Sequence, residues 1–166
     1  MPTGDWRYRG LEGPSTYDND GSVAHFNVPP REVWHILSIW AEYTASDTAA
    51  TRALRVVVRD LADDIVMEIA PGVTVTASQQ RDFLFAPGAP DLTAARDSDL
   101  IMTPLPAGLL LPPGWDISVQ EQSSGDTTDS EILITQLIYA SMNVLSTGNA
   151  AAQSSDQPAN TDSDLS

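Results

Sequence analysis

The segment VWHILSIWAEYT, residues 33–44, carries the strongest secondary-structure signal in the chain. Its aromatic and β-branched residues favour a β-strand over the rival interpretation, a long helix. Alternate residues of a strand share a face, and both faces here are largely apolar: one has Val33, His35, Leu37, Ile39 and Ala41, and the other has Trp34, Ile36, Ser38, Trp40 and Glu42. A strand that is apolar on both sides predicts that an arm, a second layer or another subunit covers its second face.

Shorter apolar segments surround this strand and are separated by turns rich in proline, glycine and aspartate. They span residues 23–28, 54–60, 65–70, 73–85, 100–102, 115–122 and 131–142, and the last of them is also apolar on both sides. Many short strands with turns between them are typical of antiparallel β-sandwiches. The sequence therefore predicts an all-β domain at residues 23–145, an antiparallel β-sandwich or jelly roll of about 7–8 strands.

Polar extensions flank the predicted domain on both sides. Residues 1–22 form an N-terminal arm interrupted by glycines, and residues 146–166 form a tail of small polar residues that should be disordered on its own. The N-terminal arm nevertheless contains aromatic and arginine residues, the types that dominate binding interfaces: Trp6, Arg7, Tyr8, Arg9 and Tyr17. We expect these five to contact a partner; the alternative is that the arm packs on its own domain.

Charge and composition exclude several functions. The formal net charge is −15, and the chain has eight arginines, no lysine and no cysteine. An acidic chain repels phosphate backbones and anionic lipids, so neither nucleic acid nor a membrane is expected as a partner. Without cysteine there is no disulfide or thiolate chemistry, which fits a cytosolic origin.

Motifs for catalysis or cofactor binding are missing from the sequence. There is no phosphate-binding loop, dinucleotide fingerprint or nucleophile elbow. His25 and His35 lie on predicted strands. The sequence has no nucleophile or orienting acid at a spacing that suggests a catalytic site with either of them, so we interpret them as buried or interface residues. The acidic turn at residues 18–21 lacks the ligands of a calcium loop. We therefore expect no catalytic residue, no metal site and no cofactor.

Trp34 and Trp40 are the remaining candidate binding residues. They fall on one face of the predicted strand, six residues or roughly 20 Å apart. We expect them to fill the core or a subunit interface, and the alternative is a stacking platform for sugar rings.

Two segments resemble tailed-bacteriophage capsid decoration, or cement, proteins. Residues 51–60, TRALRVVVRD, are similar to an arginine-led strand of such proteins, and residues 105–117, LPAGLLLPPGWDI, are similar to their Pro/Leu-rich turn and following Gly-Trp strand. The resemblance implies a β-sandwich virion protein on the outer capsid surface. It also implies a homo-oligomer, often a trimer, that binds the major capsid protein and bridges neighbouring capsid subunits.

Other functions stay open at this point. A tail, neck or head-fibre module that binds a receptor or a glycan would use the same fold and the same tryptophans. A hydrolase or lyase would require His25 or His35 to meet carboxylates in a cleft. A cellular binding domain with no viral connection is a further alternative.

Overall fold

The computed structural model describes residues 5–13, 16–17, 23–48, 52–89, 100–123 and 131–144. These residues contain no helix, and they form eleven strands: β1 (Arg7–Glu12), β2 (Thr16–Tyr17), β3 (Val23–Asn27), β4 (Glu32–Thr44), β5 (Arg52–Arg59), β6 (Ile65–Ile69), β7 (Gln80–Pro87), β8 (Leu100–Leu105), β9 (Leu110–Leu111), β10 (Asp116–Ser123) and β11 (Glu131–Asn143). The predicted all-β class is confirmed, and the strand number exceeds the predicted 7–8 partly because β2 and β9 have two residues each.

The strands form two sheets, as a β-sandwich requires. Sheet A has the order β1-β11-β4-β7-β8, with β9 also paired to β4, and sheet B has the order β2-β3-β10-β5-β6. Every pairing between these strands is antiparallel except that of β7 with β8. Strands β4 and β11 are both interior strands of sheet A, each with a paired neighbour on either side.

The core lies between the sheets and is built by alternation along each strand. In β5, for example, Leu54, Val56 and Val58 point inward and are buried. Phe83 and Phe85 of β7 stack 6.3 Å apart, and Tyr43 meets Phe83 edge-on. Complete burial of a large apolar side chain contributes about 1.5–3 kcal/mol, so this layer dominates the stability of the fold.

Two bulges interrupt the long pairing of β4 with β11. Ile138 lies opposite Ser38 while Tyr139 lies opposite Ile36, which leaves Leu37 as an extra residue on β4. A second register shift falls between positions 132 and 134 of β11. A bulge moves every later side chain of its strand to the other face, so it changes which residues of β4 are inward.

Two segments differ from the sequence expectations. Residues 7–12 of the predicted N-terminal arm form β1, which pairs with β11 along its whole length. The predicted strand at 73–85 is wrong in its first half: Ser78 has a φ of 59° in a turn, and β7 begins only at Gln80. The C-terminal tail at 146–166 lies outside the described residues.

Candidate interaction surface

Strand β1 brings the N-terminal aromatic residues onto the outer face of sheet A. Tyr8 lies opposite Ala140 of β11, Ala140 lies opposite His35 of β4, and His35 lies opposite Leu110 of β9. These four residues form a row across four strands. Trp6 reaches the same row, because its ring centroid lies 6.1 Å from that of His35 in an edge-on contact.

The large apolar side chains on and beside this row are exposed to solvent, whereas Ala140 is buried and His35 is half-buried. Trp6 is 41% exposed, Tyr8 79% and Leu110 51%, and Ile138 in the adjacent row is 40% exposed. We call these four residues together with His35 the outer-face patch. Large rings and aliphatic groups that remain wet after folding are the groups that gain most from burial against a partner.

Arg7 and Arg9 alternate with the aromatic residues of β1 and lie on its other face. They are exposed, and they lie opposite Ser141 and Tyr139 of β11. Burial raises the pKa of the Tyr139 phenol; Glu32 adds to that effect and Arg9 opposes it. Two cations on one strand make this edge locally basic in a chain whose net charge is −15.

Trp34 is part of the core. It is 2% exposed, its ring centroid lies 4.1 Å from that of Tyr139, and its indole N–H donates to Oε2 of Glu32 at 2.8 Å. A buried indole needs such an acceptor, so the position of Trp34 is fully explained by its own domain. Its predicted role as a partner-binding residue finds no exposed surface here.

Trp40 lies on the opposite face from Trp34. The extra residue Leu37 reverses the alternation, so Trp34 points inward while Trp40 lies on the outer face beside Leu84 of β7. The prediction that the two tryptophans share a face is therefore wrong. They cannot form a common stacking platform for sugar rings, and only Trp40 borders the outer-face patch.

The predicted contact residue Tyr17 is described only through its backbone, which pairs with Ala24 in sheet B. Its side chain lies outside the described residues. Sequence reasoning named Trp6 and Tyr8 as contact residues but missed Leu110 and Ile138. The apolar faces of the segments that contain Leu110 and Ile138 were visible, yet only the strand order shows that they adjoin β1 or its neighbours.

On the outer face of sheet B, His25 and Asp116 form a polar contact. Nδ1 of His25 lies 3.3 Å from both carboxylate oxygens of Asp116. Burial raises the pKa of Asp116, and this outweighs the lowering by His25 and Arg59. Ser118 lies opposite His25 in the pairing of β10 with β3. Its side chain is completely buried and donates to the carbonyl of Val57 at 3.4 Å, so it is not placed as a nucleophile.

A buried ion pair closes one end of sheet B. Nε of Arg52 lies 3.4 Å from Oε1 of Glu121, and both side chains are almost completely buried. The guanidinium also donates to Oγ of Ser46 at 2.6 Å and to the carbonyl of Thr48 at 2.8 Å. These contacts fix the segment after β4 against β5, which is a structural task.

Metal and membrane sites do not emerge from the described ranges. No group of three or more histidine, aspartate or glutamate side chains is arranged there to hold a metal ion. None of the residues that the structure describes forms a helix with the length and hydropathy needed to cross a bilayer.

Comparisons with known proteins give only distant structural matches. No protein-family model and no curated protein matches the chain. Among solved structures, the chain is similar to the structure of infectious bursal disease virus Gx strain, with 9% identity, a TM-score of 0.33, and coverage of 85% of this chain and 33% of the other. The structure of the Gt strain of that virus is 12% identical with a TM-score of 0.27, and the match covers 82% of this chain and 30% of the other. The crystal structure of the T13 IBDV viral particle is 11% identical with a TM-score of 0.32, and the match covers 85% of this chain and 36% of the other.

The chain thus spans about a third of the length of the solved chains it matches. Likeness at this level does not define a function. The fold itself is a β-sandwich on the evidence of its own sheets, and the function has to be inferred from its surface.

Proposed function

We propose that this chain is a structural, non-enzymatic virion protein that binds the outer surface of an icosahedral phage capsid. In this role it contacts the major capsid protein and bridges neighbouring capsid subunits. The observation that carries the proposal is the outer-face patch, five aromatic and aliphatic side chains in two adjacent rows of sheet A. The resemblance of residues 51–60 and 105–117 to decoration proteins supplies the class of partner.

The composition of the patch suits a contact that dominates binding. Tryptophan and tyrosine are enriched among the residues that lose most affinity on truncation, at about 2 kcal/mol or more each. Tyr8 is already ordered on β1 by its pairing with β11, and Trp6, directly before β1, is held edge-on against His35, so docking costs little conformational entropy. Arg7 and Arg9 lie on the opposite face of β1 from Tyr8, where they add attraction to an acidic partner that reaches around the edge of sheet A.

The charge of the chain fits the outside of a shell that encloses nucleic acid. A net charge of −15 opposes contact with phosphate backbones. One protein that holds two shell subunits ties them together through linked contacts. Linked contacts raise the overall affinity and resist separation of the subunits.

The proposal can be tested with particles of the parent virus that lack this chain. We expect the full chain to co-sediment with them, and Trp6→Ala and Tyr8→Ala each to raise the dissociation constant at least about tenfold. Leu61→Ala is the matched control, since Leu61 is an exposed apolar residue in the turn between β5 and β6 of sheet B. All three variants should keep the wild-type free energy of unfolding within about 0.5 kcal/mol.

Two results would contradict the proposal. One is that the wild-type chain does not sediment with the particles. The other is that Trp6→Ala and Tyr8→Ala bind as tightly as Leu61→Ala does.

A further inference from the structure

The free edge of β1 differs from the other three sheet edges. The edge strand β2 has two residues, β6 has a register shift in its pairing with β5, and β8 contains Pro104. Shortness, bulges, prolines and charged side chains are the usual means by which proteins prevent an edge from pairing with another chain. Strand β1 lacks the first three, since it has six residues, no proline and an unbroken register with β11, and its charges at Arg7, Arg9 and Glu12 restrict the registers in which it can pair.

Only one side of β1 is paired among the described strands. The other side therefore offers a row of backbone donors and acceptors in the plane of sheet A. We propose that this edge pairs antiparallel with β1 of a second copy of the chain, joining the two A sheets into one continuous sheet.

Two-fold symmetry limits the possible registers of this pairing. The two-fold axis must be normal to the sheet. Residues that lie opposite each other across the axis therefore have their side chains on the same face of the joined sheet. A centre at Tyr8 would place Arg7 opposite the partner subunit's Arg9, and a centre at Arg9 would place two arginines directly opposite each other. Like charges in directly opposed positions are unfavourable.

A centre at Gly10 avoids these conflicts. It places Tyr8 opposite the partner subunit's Glu12, and Arg9 opposite the partner subunit's Leu11. Each Tyr8 ring then lies diagonally beside a glycine, an arrangement in which an aromatic ring covers backbone that glycine leaves bare. A centre at Leu11 would also keep like charges apart, but it pairs only three residues of β1, from Gly10 to Glu12, whereas a centre at Gly10 pairs five, from Tyr8 to Glu12.

This pairing makes a dimer, in place of the trimer that the resemblance implies. An axis normal to the sheet keeps both outer faces on one side. Each dimer thus presents two outer-face patches in the same direction, as bridging two shell subunits requires. This last consequence rests on the proposed function, whereas the dimer itself does not.

Cysteine cross-linking can test the register directly. The chain has no cysteine, and a Cβ added at Gly10 meets no atom within 4 Å. Two Gly10→Cys side chains facing each other across the axis lie within reach of a disulfide. We expect mild oxidation to convert Gly10→Cys to a covalent dimer, and the matched control Gly72→Cys, which also has open space, to remain uncross-linked.

Two further variants test whether Tyr8 lies opposite Glu12 of the partner subunit. Tyr8→Cys alone and Glu12→Cys alone should not cross-link, whereas a mixture of the two should. Light scattering of the wild-type chain should give twice the 17.8 kDa mass of one copy. Gly10→Glu, which opposes two carboxylates, should raise the dimer dissociation constant at least about tenfold, and Gly10→Ala should not.

Three results would overturn the inference: a monomeric or trimeric mass, cross-linking of Gly10→Cys no faster than that of Gly72→Cys, or cross-linking of Tyr8→Cys alone. Co-sedimentation separates these failures from those of the proposed function. A dimer that does not bind particles would refute the shell contact alone, and a monomer that binds particles would refute the dimer alone.

Discussion

The outer faces of the two sheets differ in their side chains: those of sheet B hydrogen-bond to one another, whereas those of sheet A include large apolar groups exposed to solvent. On sheet B, Arg55 donates to Glu68 at 3.1 Å and to Gln120 at 3.4 Å, and Gln120 donates to Ser118 at 2.9 Å. On sheet A, the corresponding surface carries the outer-face patch. A face of mutually paired polar groups is stable in water, whereas an apolar face gains free energy when it is covered. The apolar residues exposed on the side of sheet B lie at its edge, at Leu61 and on β6 at Ile65 and Val66, whereas the outer-face patch lies across β1, β11, β4 and β9 of sheet A.

The largest effect should come from breaking the buried ion pair at the end of sheet B. Arg52→Met leaves the Glu121 carboxylate buried without its cation. Loss of one partner from a buried pair costs about 3–5 kcal/mol, and we expect that decrease in the free energy of unfolding measured with urea. The double variant Arg52→Met/Glu121→Leu should recover most of the loss. A decrease below about 1 kcal/mol for the single variant would show that solvent reaches the pair.

The two tryptophans of β4 sharpen the difference between the inner and outer faces of sheet A. Trp34→Ala removes a core ring and should lower the free energy of unfolding by about 3–5 kcal/mol. Trp40→Ala acts on the outer face and should cost no more than about 1 kcal/mol. Equal losses in thermal or urea unfolding would mean that the bulge at Leu37 does not exist.

Asp116 makes the stability of sheet B depend on pH. Because burial raises its folded pKa above 3.8, the folded state binds more protons than the unfolded state as pH rises from 3.8 to the raised value. The wild-type free energy of unfolding should therefore fall as pH increases through that window. Asp116→Asn removes this dependence, so its stability relative to wild type should increase with pH over the same range.

Urea unfolding at a series of pH values measures this difference. Asp47→Asn, at an exposed position, is the control for the loss of one negative charge. Parallel profiles for wild type and Asp116→Asn would contradict the assignment of the pKa shift to burial of Asp116.

The smallest effect is expected for the partly exposed pair on sheet B. Arg55→Ala removes the contacts to Glu68 and Gln120, which water and salt largely screen. We expect a loss of about 0.2–1 kcal/mol in the free energy of unfolding, reduced further in high salt. A loss as large as that of Arg52→Met would mean that the outer face of sheet B depends on this contact for its integrity.

Much of the sandwich was predictable from the period of its strands. The segments of β4, β5, β10 and β11 were identified because their β-branched and aromatic residues favour a strand over a helix. The two-sided character of β4 also predicted an apolar outer surface. The bulge at Leu37 was not predictable, because alternation assumes a fixed period of two, and the extra residue is defined only by the partner strand.

The candidate surface was predicted in part. Trp6 and Tyr8 were singled out from their residue types, but Gly10 and Gly13 concealed the strand that begins directly after Trp6 and contains Tyr8. Its partner β11 lies more than a hundred residues further along, and such pairing leaves no local signal. The contact of His25 with Asp116 was not predicted for the same reason, because the two residues are 91 positions apart in the sequence.

The order of strands has a consequence for how the protein is made. Strand β10 lies between β3 and β5, and β11 lies between β1 and β4, so an interior strand of each sheet comes from the last third of the chain. During synthesis on the ribosome, β4 and β5 emerge long before their central neighbours do. We therefore expect folding to begin only after residue 143 has left the exit tunnel, which leaves the nascent chain dependent on chaperones until then.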